Sequence, residues 1–179
     1  FIIGAAINSG QNLFQFYFPI YGHTLGISAS AIGSILGVVA AAAFVVRGCI
    51  PLLMKIRTEA EILTYAIFVA AFSFVLLPFV TNPYALAAIA FLLGLGTGCA
   101  NPLSMSLVYV LTPPGRVAES LGVLRSAYNL TQLVVPILFG SVGAAFGFAP
   151  VFLSNATMLA AGGMLMRKIS LPGTNRDPP

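Results

Sequence analysis

Six long runs of apolar residues occupy positions 2–21, 29–54, 61–80, 84–111, 121–146 and 150–166 of this 179-residue chain. A bilayer core about 30 Å thick takes roughly 20 helical residues per crossing, so each run is a candidate membrane span. Turn-forming residues at 22–28, 55–59, 81–83, 112–119 and 147–150 separate them. The chain is 59% hydrophobic and only 7% charged, with a mean hydropathy of +1.00. A soluble domain needs about a quarter of its residues charged to cover its surface, and a disordered chain needs far less apolar surface; both are excluded. Strands of a membrane barrel alternate apolar and polar residues. The stretches 38–46 and 85–95 are apolar at every position, so the spans read as helices. The predicted fold is an all-α membrane protein of six transmembrane helices, followed by a disordered tail at 169–179.

Charge placement orients the predicted bundle. Lys55 and Arg57 lie between the second and third spans, with Arg47 about two turns earlier. Arg116 lies between the fourth and fifth, Arg125 just inside the fifth, and Arg167, Lys168 and Arg176 after the sixth. The other three connections hold no lysine or arginine. Under the positive-inside rule the basic side is cytoplasmic, which places both ends of the chain there. The bases are not interleaved with aromatics on a polar face, so a nucleic-acid partner is not expected despite a pI near 9.4. Cys49 and Cys99 sit in apolar runs and read as small packing residues. The chain starts at Phe1, with no polar flank and no cleavage site; it is expected to be a fragment that begins within or just before a membrane helix.

The polar residues inside the spans are few and patterned. Asn8, Gln11, Asn12 and Gln15 are spaced by three, four and seven, which puts them within roughly 100° of one helix face and along about 10 Å of its axis. Gly4 and Pro19 share that face. Carboxamides are costly against lipid, so they must meet protein or water. A hydrated cavity that a solute enters is one way to satisfy them; hydrogen bonding between helices is the other. Four on a single stripe favour the cavity. The fifth span repeats the spacing with Arg125, Tyr128, Asn129 and Gln132. Arg125 is near enough to the end to snorkel, whereas the other three lie deeper. Asn101 precedes Pro102 in the fourth span, where it either caps a local break or bonds to a neighbour. Gly33 with Gly37, and Gly94 with Gly98, have the small-xxx-small spacing of helices that touch.

Catalytic chemistry is missing. His23 is the only histidine and falls in a connection; Glu59, Glu61, Glu119 and Asp177 all lie at the basic boundary. No metal-ligand pairs, nucleophile elbow or phosphate-binding lysine loop occur. An enzyme is therefore not expected, and neither is a cofactor or a metal site. If transport is proton-coupled, the carrier is expected outside this stretch.

Six spans with basic second–third and fourth–fifth connections resemble the carboxy-terminal half of a major facilitator superfamily transporter. The most specific stretch is Pro113-Pro114-Gly115-Arg116, then Gly122, Arg125, Pro136, Gly140, Gly147 and Phe152. Arg47 through Pro51 to Lys55 and Arg57 is similar to the degenerate second-half copy of the family's basic loop motif, without the aspartate usual in the first-half version. The resemblance implies helices seven to twelve, arranged as two inverted three-helix repeats, with the first and fourth spans facing the pathway. It implies a secondary transporter that moves a small solute, of drug or metabolite class, by alternating access. The partners would be the solute, the bilayer and a missing amino-terminal half, in a cell-membrane protein expected to be monomeric at full length. Asn8, Gln11, Asn12 and Gln15, with Tyr128, Asn129 and Gln132, are the candidate cavity residues. Arg47, Arg116, Glu119 and Arg125 are the candidate cytoplasmic rim. The alternative is a six-span channel subunit, for which the connections are too short to supply a filter loop.

Overall fold

The computed structural model describes residues 2–113 and 115–168. Pro114 and the tail at 169–179, where disorder is expected, lie outside the described residues. The helices are α1 (Ile2–Thr24), α2 (Ala29–Leu53), α3 (Glu59–Leu76, prolonged by a 3-10 turn at Leu77–Phe79), α4 (Pro83–Gly98), α5 (Ala100–Leu111), α6 (Val117–Phe146) and α7 (Phe148–Lys168). Among the described residues there is no strand. Ala29–Leu53, Glu59–Phe79, Pro83–Leu111 and Val117–Phe139 are each long and apolar enough to cross a bilayer. Ala149–Leu165 is a shorter apolar helix. α1 has the length, 23 residues, but carries the amides. The chain is a membrane-embedded helical protein.

Local chemistry sets the helix ends. Ser28 Oγ accepts the Ala31 N–H at 3.3 Å. Asn82 Oδ1 accepts the Tyr84 N–H at 3.0 Å, with Pro83 at the first helical position. Thr58 and Glu61 form a reciprocal capping box at the start of α3, with bonds of 3.4 and 3.1 Å, which satisfies two donors that the helix start leaves unpaired. Gly26 (φ 73°) and Gly147 (φ 82°) take left-handed backbone after α1 and between α6 and α7, a conformation that a side chain would strain.

α3 is central and touches α4, α5 and α7. The closest seam joins α2 to α4. A Cβ on Gly94 would stand 2.5 Å from the Val39 carbonyl oxygen and 2.8 Å from Ala42 Cβ; one on Gly98 would stand 2.5 Å from Ala43 Cα. Gly96 presents the same bare backbone to α3, at Ala66 and Ala70. Apolar helices in lipid gain little by hiding from one another, so close backbone approach is how they associate. Gly33 and Gly37 do not share in this, and their expected packing role is corrected within this chain: nothing lies within 4 Å of either missing Cβ. At about 100° per residue they fall on the side of α2 away from Val39, Ala42 and Ala43.

An aromatic cluster closes the opposite side. Phe14 stacks on Phe18 at 4.6 Å, while Phe152 meets Tyr21 at 5.6 Å and Phe74 at 6.3 Å, tying α1, α3 and α7 together. α6 is held more thinly. Of its described side chains only Leu124, Tyr128 and Val135 are buried, and Leu130, Leu133, Ile137 and Leu138 are exposed.

The stretch read as the fourth span is two helices. α4 ends at Gly98, the Cys99 N–H turns back to the Thr97 carbonyl, and α5 restarts at Ala100. Pro102 has no N–H for the carbonyl four residues earlier, at Gly98, and its ring crowds that oxygen. Asn101 is not the cap: the position belongs to Cys99. The Cys99 thiol lies 3.7 Å from the Leu95 carbonyl oxygen and 3.5 Å from that of Gly96. The cysteine read as a packing residue thus also serves carbonyls that the break sets free.

Candidate functional site

α1 divides its surface in two. Ile7, Leu13, Phe14, Tyr17 and Phe18 are buried against the bundle. Stepping about 100° per residue, the centre of that face lies roughly 125° round the helix from the centre of the stripe formed by Asn8, Gln11, Asn12 and Gln15, with Phe18 and Ile7 bordering Gln11. Gln15 is exposed, Gln11 and Asn12 are half-buried, and Asn8 is buried. Asn12 Nδ2 donates to Asn8 Oδ1 at 2.7 Å, one turn along the same stripe. Among the described residues no hydrogen bond joins these amides to another helix. The stripe therefore runs from the buried Asn8 to the open Gln15, and its amides are not bonded to another helix among the described residues.

α6 brings further polar groups to that stripe. It runs against α1, where Tyr17 Oη donates to the Pro136 carbonyl at 3.3 Å. Tyr128 is buried, and its hydroxyl lies 2.6 Å from the point where a Cβ on Gly4 would be; Ser104 Oγ of α5 lies 3.2 Å from the same point. Gly4 is one turn before Asn8 on the same face of α1. A missing side chain thus lets hydroxyls from two other helices end on the amide line. Arg125, Asn129 and Gln132 are exposed along the neighbouring strip of α6, and Arg125 Nη2 lies 3.8 Å from Met105 Sδ.

Beside this junction is a cavity of about 220 Å³, lined by Gly4, Leu63, Ser104, Leu107, Thr112 and Leu124 among others. A cavity of roughly 150 Å³ holds a benzene molecule, so this one has room for a small organic group or several waters. Its walls are mostly apolar, with Leu63, Leu107, Leu111 and Leu124, and Ser104 and Thr112 supply hydroxyls.

The basic end holds short local pairs. Arg116 Nε meets Glu119 Oε2 at 3.2 Å, and Arg57 Nη1 meets Glu61 Oε1 at 3.6 Å. Both pairs are exposed, and such pairs contribute up to about 1 kcal/mol. Glu59 accepts from Ser106 Oγ at 2.9 Å, tying α3 to α5. Among the described residues neither Arg47 nor Arg125 has a carboxylate within 4.0 Å. Of the candidate rim residues, only Arg116 and Glu119 are brought together. Arg47 instead donates from Nε to the Gly98 carbonyl at 3.0 Å. Sequence reasoning did not find that bond, nor Ser104, nor Asn155, which is fully buried with neither amide atom bonded among the described residues. Pro102 was a usable signal for the first. Asn155 sits between Ser154 and Thr157 and is the one carboxamide of its span, so no periodicity marks it. Among the described residues no group of three or more His, Cys, Asp or Glu side chains could hold a metal ion.

A membrane-embedded helical bundle whose leading helix carries a row of amides not bonded to another helix among the described residues is built like part of a solute carrier. The family model of the Major Facilitator Superfamily matches residues 1–179, the whole chain, and the chain belongs to that superfamily of transporters. No curated protein matches it.

Proposed function

We propose that this chain is the carboxy-terminal half, helices seven to twelve, of a secondary transporter that moves a small drug- or metabolite-like solute by alternating access. α4 and α5 together count as the tenth helix, and the six spans form two inverted three-helix repeats. The basic end faces the cytoplasm of a cell-membrane protein. An amino-terminal half covers the open faces of α1 and α6, with the solute held between the halves. The observation that carries this reading is the amide stripe of α1, which runs from the buried Asn8 to the open Gln15 without a hydrogen bond to another helix among the described residues. In a bilayer that side cannot be left to acyl chains at low cost, and four neutral donor–acceptor groups suit an uncharged or zwitterionic solute. Asn8, Gln11, Asn12 and Gln15 are assigned to solute contact, joined by Tyr128, Asn129 and Gln132. Arg47, Arg116, Glu119 and Arg125 are assigned to the cytoplasmic rim.

The test is transport by the full-length protein in proteoliposomes, with a solute found by thermal-shift screening. Replacing Asn8, Asn12 and Gln15 together by Ala lowers uptake at least about tenfold, the loss expected from two or more hydrogen bonds, while the melting temperature stays near wild type. Unchanged uptake would overturn the assignment of the stripe.

A further inference from the structure

We propose that Arg47, Gly98 and Pro102 form one device that sets the bend between α4 and α5, with Arg47 as a positioning residue acting through the backbone. It begins with the proline. Position 102 cannot donate to the Gly98 carbonyl, which a regular helix would require of it. The neighbouring carbonyls are served within the turn: that of Thr97 by the Cys99 N–H, and those of Leu95 and Gly96 by the Cys99 thiol. The Gly98 carbonyl is served from another helix, by Arg47 Nε at 3.0 Å.

Glycine at 98 makes that reach possible. Its missing side chain lets the turn rest on Ala43, where a Cβ would stand 2.5 Å from the α carbon, and Arg47 is one turn further along α2. The Arg47 side chain is exposed overall, so Nε serves the carbonyl while the rest of the guanidinium remains on the open side. α2 is weakened in the same region, because Pro51 offers no N–H to Arg47's own carbonyl. Two helices that each lose a backbone hydrogen bond to a proline are thus joined by one side chain. The bend matters because α5 carries Ser104 to Gly4 and Tyr128, and Ser106 to Glu59. This inference stands apart from the solute assignment, since neither of its readouts is transport.

The test is a double-mutant cycle in the full-length protein, using SDS unfolding in mixed micelles. With Pro102 present, Arg47→Leu lowers the folded-to-unfolded ratio about tenfold, as for a lost charge-assisted hydrogen bond. In a Pro102→Ala background the new N–H takes over the Gly98 carbonyl, and Arg47→Leu changes the ratio by less than about twofold. Arg47→Lys retains most of the stability in either background. A spin-label distance between Ala88→Cys and Tyr109→Cys, with Cys49 replaced by Ser, reads the bend directly. Arg47→Leu shifts or broadens it and Arg47→Lys restores it. If Arg47→Leu does not fold, Arg47→Gln takes its place in the cycle. An equal loss in both backgrounds, or a bend distance indifferent to residue 47, overturns the proposal.

Discussion

The α2–α4 seam and helix α6 belong to one bundle and are held by opposite means. At the seam, α4 has no side chains at Gly94 and Gly98, and its backbone lies on Val39, Ala42 and Ala43. α6 is held by Leu124, Tyr128 and Val135, with Arg125, Asn129 and Gln132 left uncovered. A contact between backbones has no side chain to rearrange, so it resists any change. A helix anchored by a few side chains keeps a face for another partner. Rigidity and the candidate working surface are therefore assigned to different helices.

The largest effect should come from filling the seam. Gly94→Ala places a methyl group against a carbonyl oxygen and should cost about 2 kcal/mol of stability by overpacking, seen as a lower SDS midpoint. If it were tolerated, the seam would be softer than its geometry implies. On α6, Tyr128→Phe removes only the hydroxyl beside Gly4; a roughly fivefold loss of uptake with an almost unchanged midpoint is expected from one hydrogen bond. A stability loss without a transport loss would make Tyr128 part of the scaffold and blur the contrast. Asn155→Leu, on the packed side of α7, removes a buried amide bonded to no described residue and should raise stability by about 1 kcal/mol. A fall would mean that the amide has a partner such as bound water. Gly37→Ala should be the mildest, within about 0.5 kcal/mol, because no described atom lies near it. A large loss there would place a second close contact on α2, made with something outside this chain.

Much of this contrast was legible in the sequence, though unevenly. Gly94 and Gly98 have the spacing of contacting helices and do make contact; Gly33 and Gly37 have the same spacing and make none within this chain. Spacing says that a smooth strip exists, not what it faces. The amides show the same limit. Their periodicity gave one stripe, but only the structure shows that it passes from a buried Asn8 to an exposed Gln15 beside the packed Ile7, Phe14 and Phe18. For Arg47, position in the chain suggested a charge at the basic rim, and only the structure adds that its Nε donates to a backbone carbonyl 51 residues away.

What the sequence determined by itself was whatever depends on neighbours along the chain: helices rather than strands, capped starts, the missing donor at Pro102, and membership of a membrane solvent rather than water. Those follow from local hydrogen bonding and from the average polarity of about twenty residues at a time. Tertiary structure alone decided which glycines touch, that hydroxyls from α5 and α6 converge on Gly4, and that Arg47 reaches the broken turn. Each requires residues distant in sequence to meet within an ångström or two. Packing of whole helices sets that registration, and no local pattern encodes it.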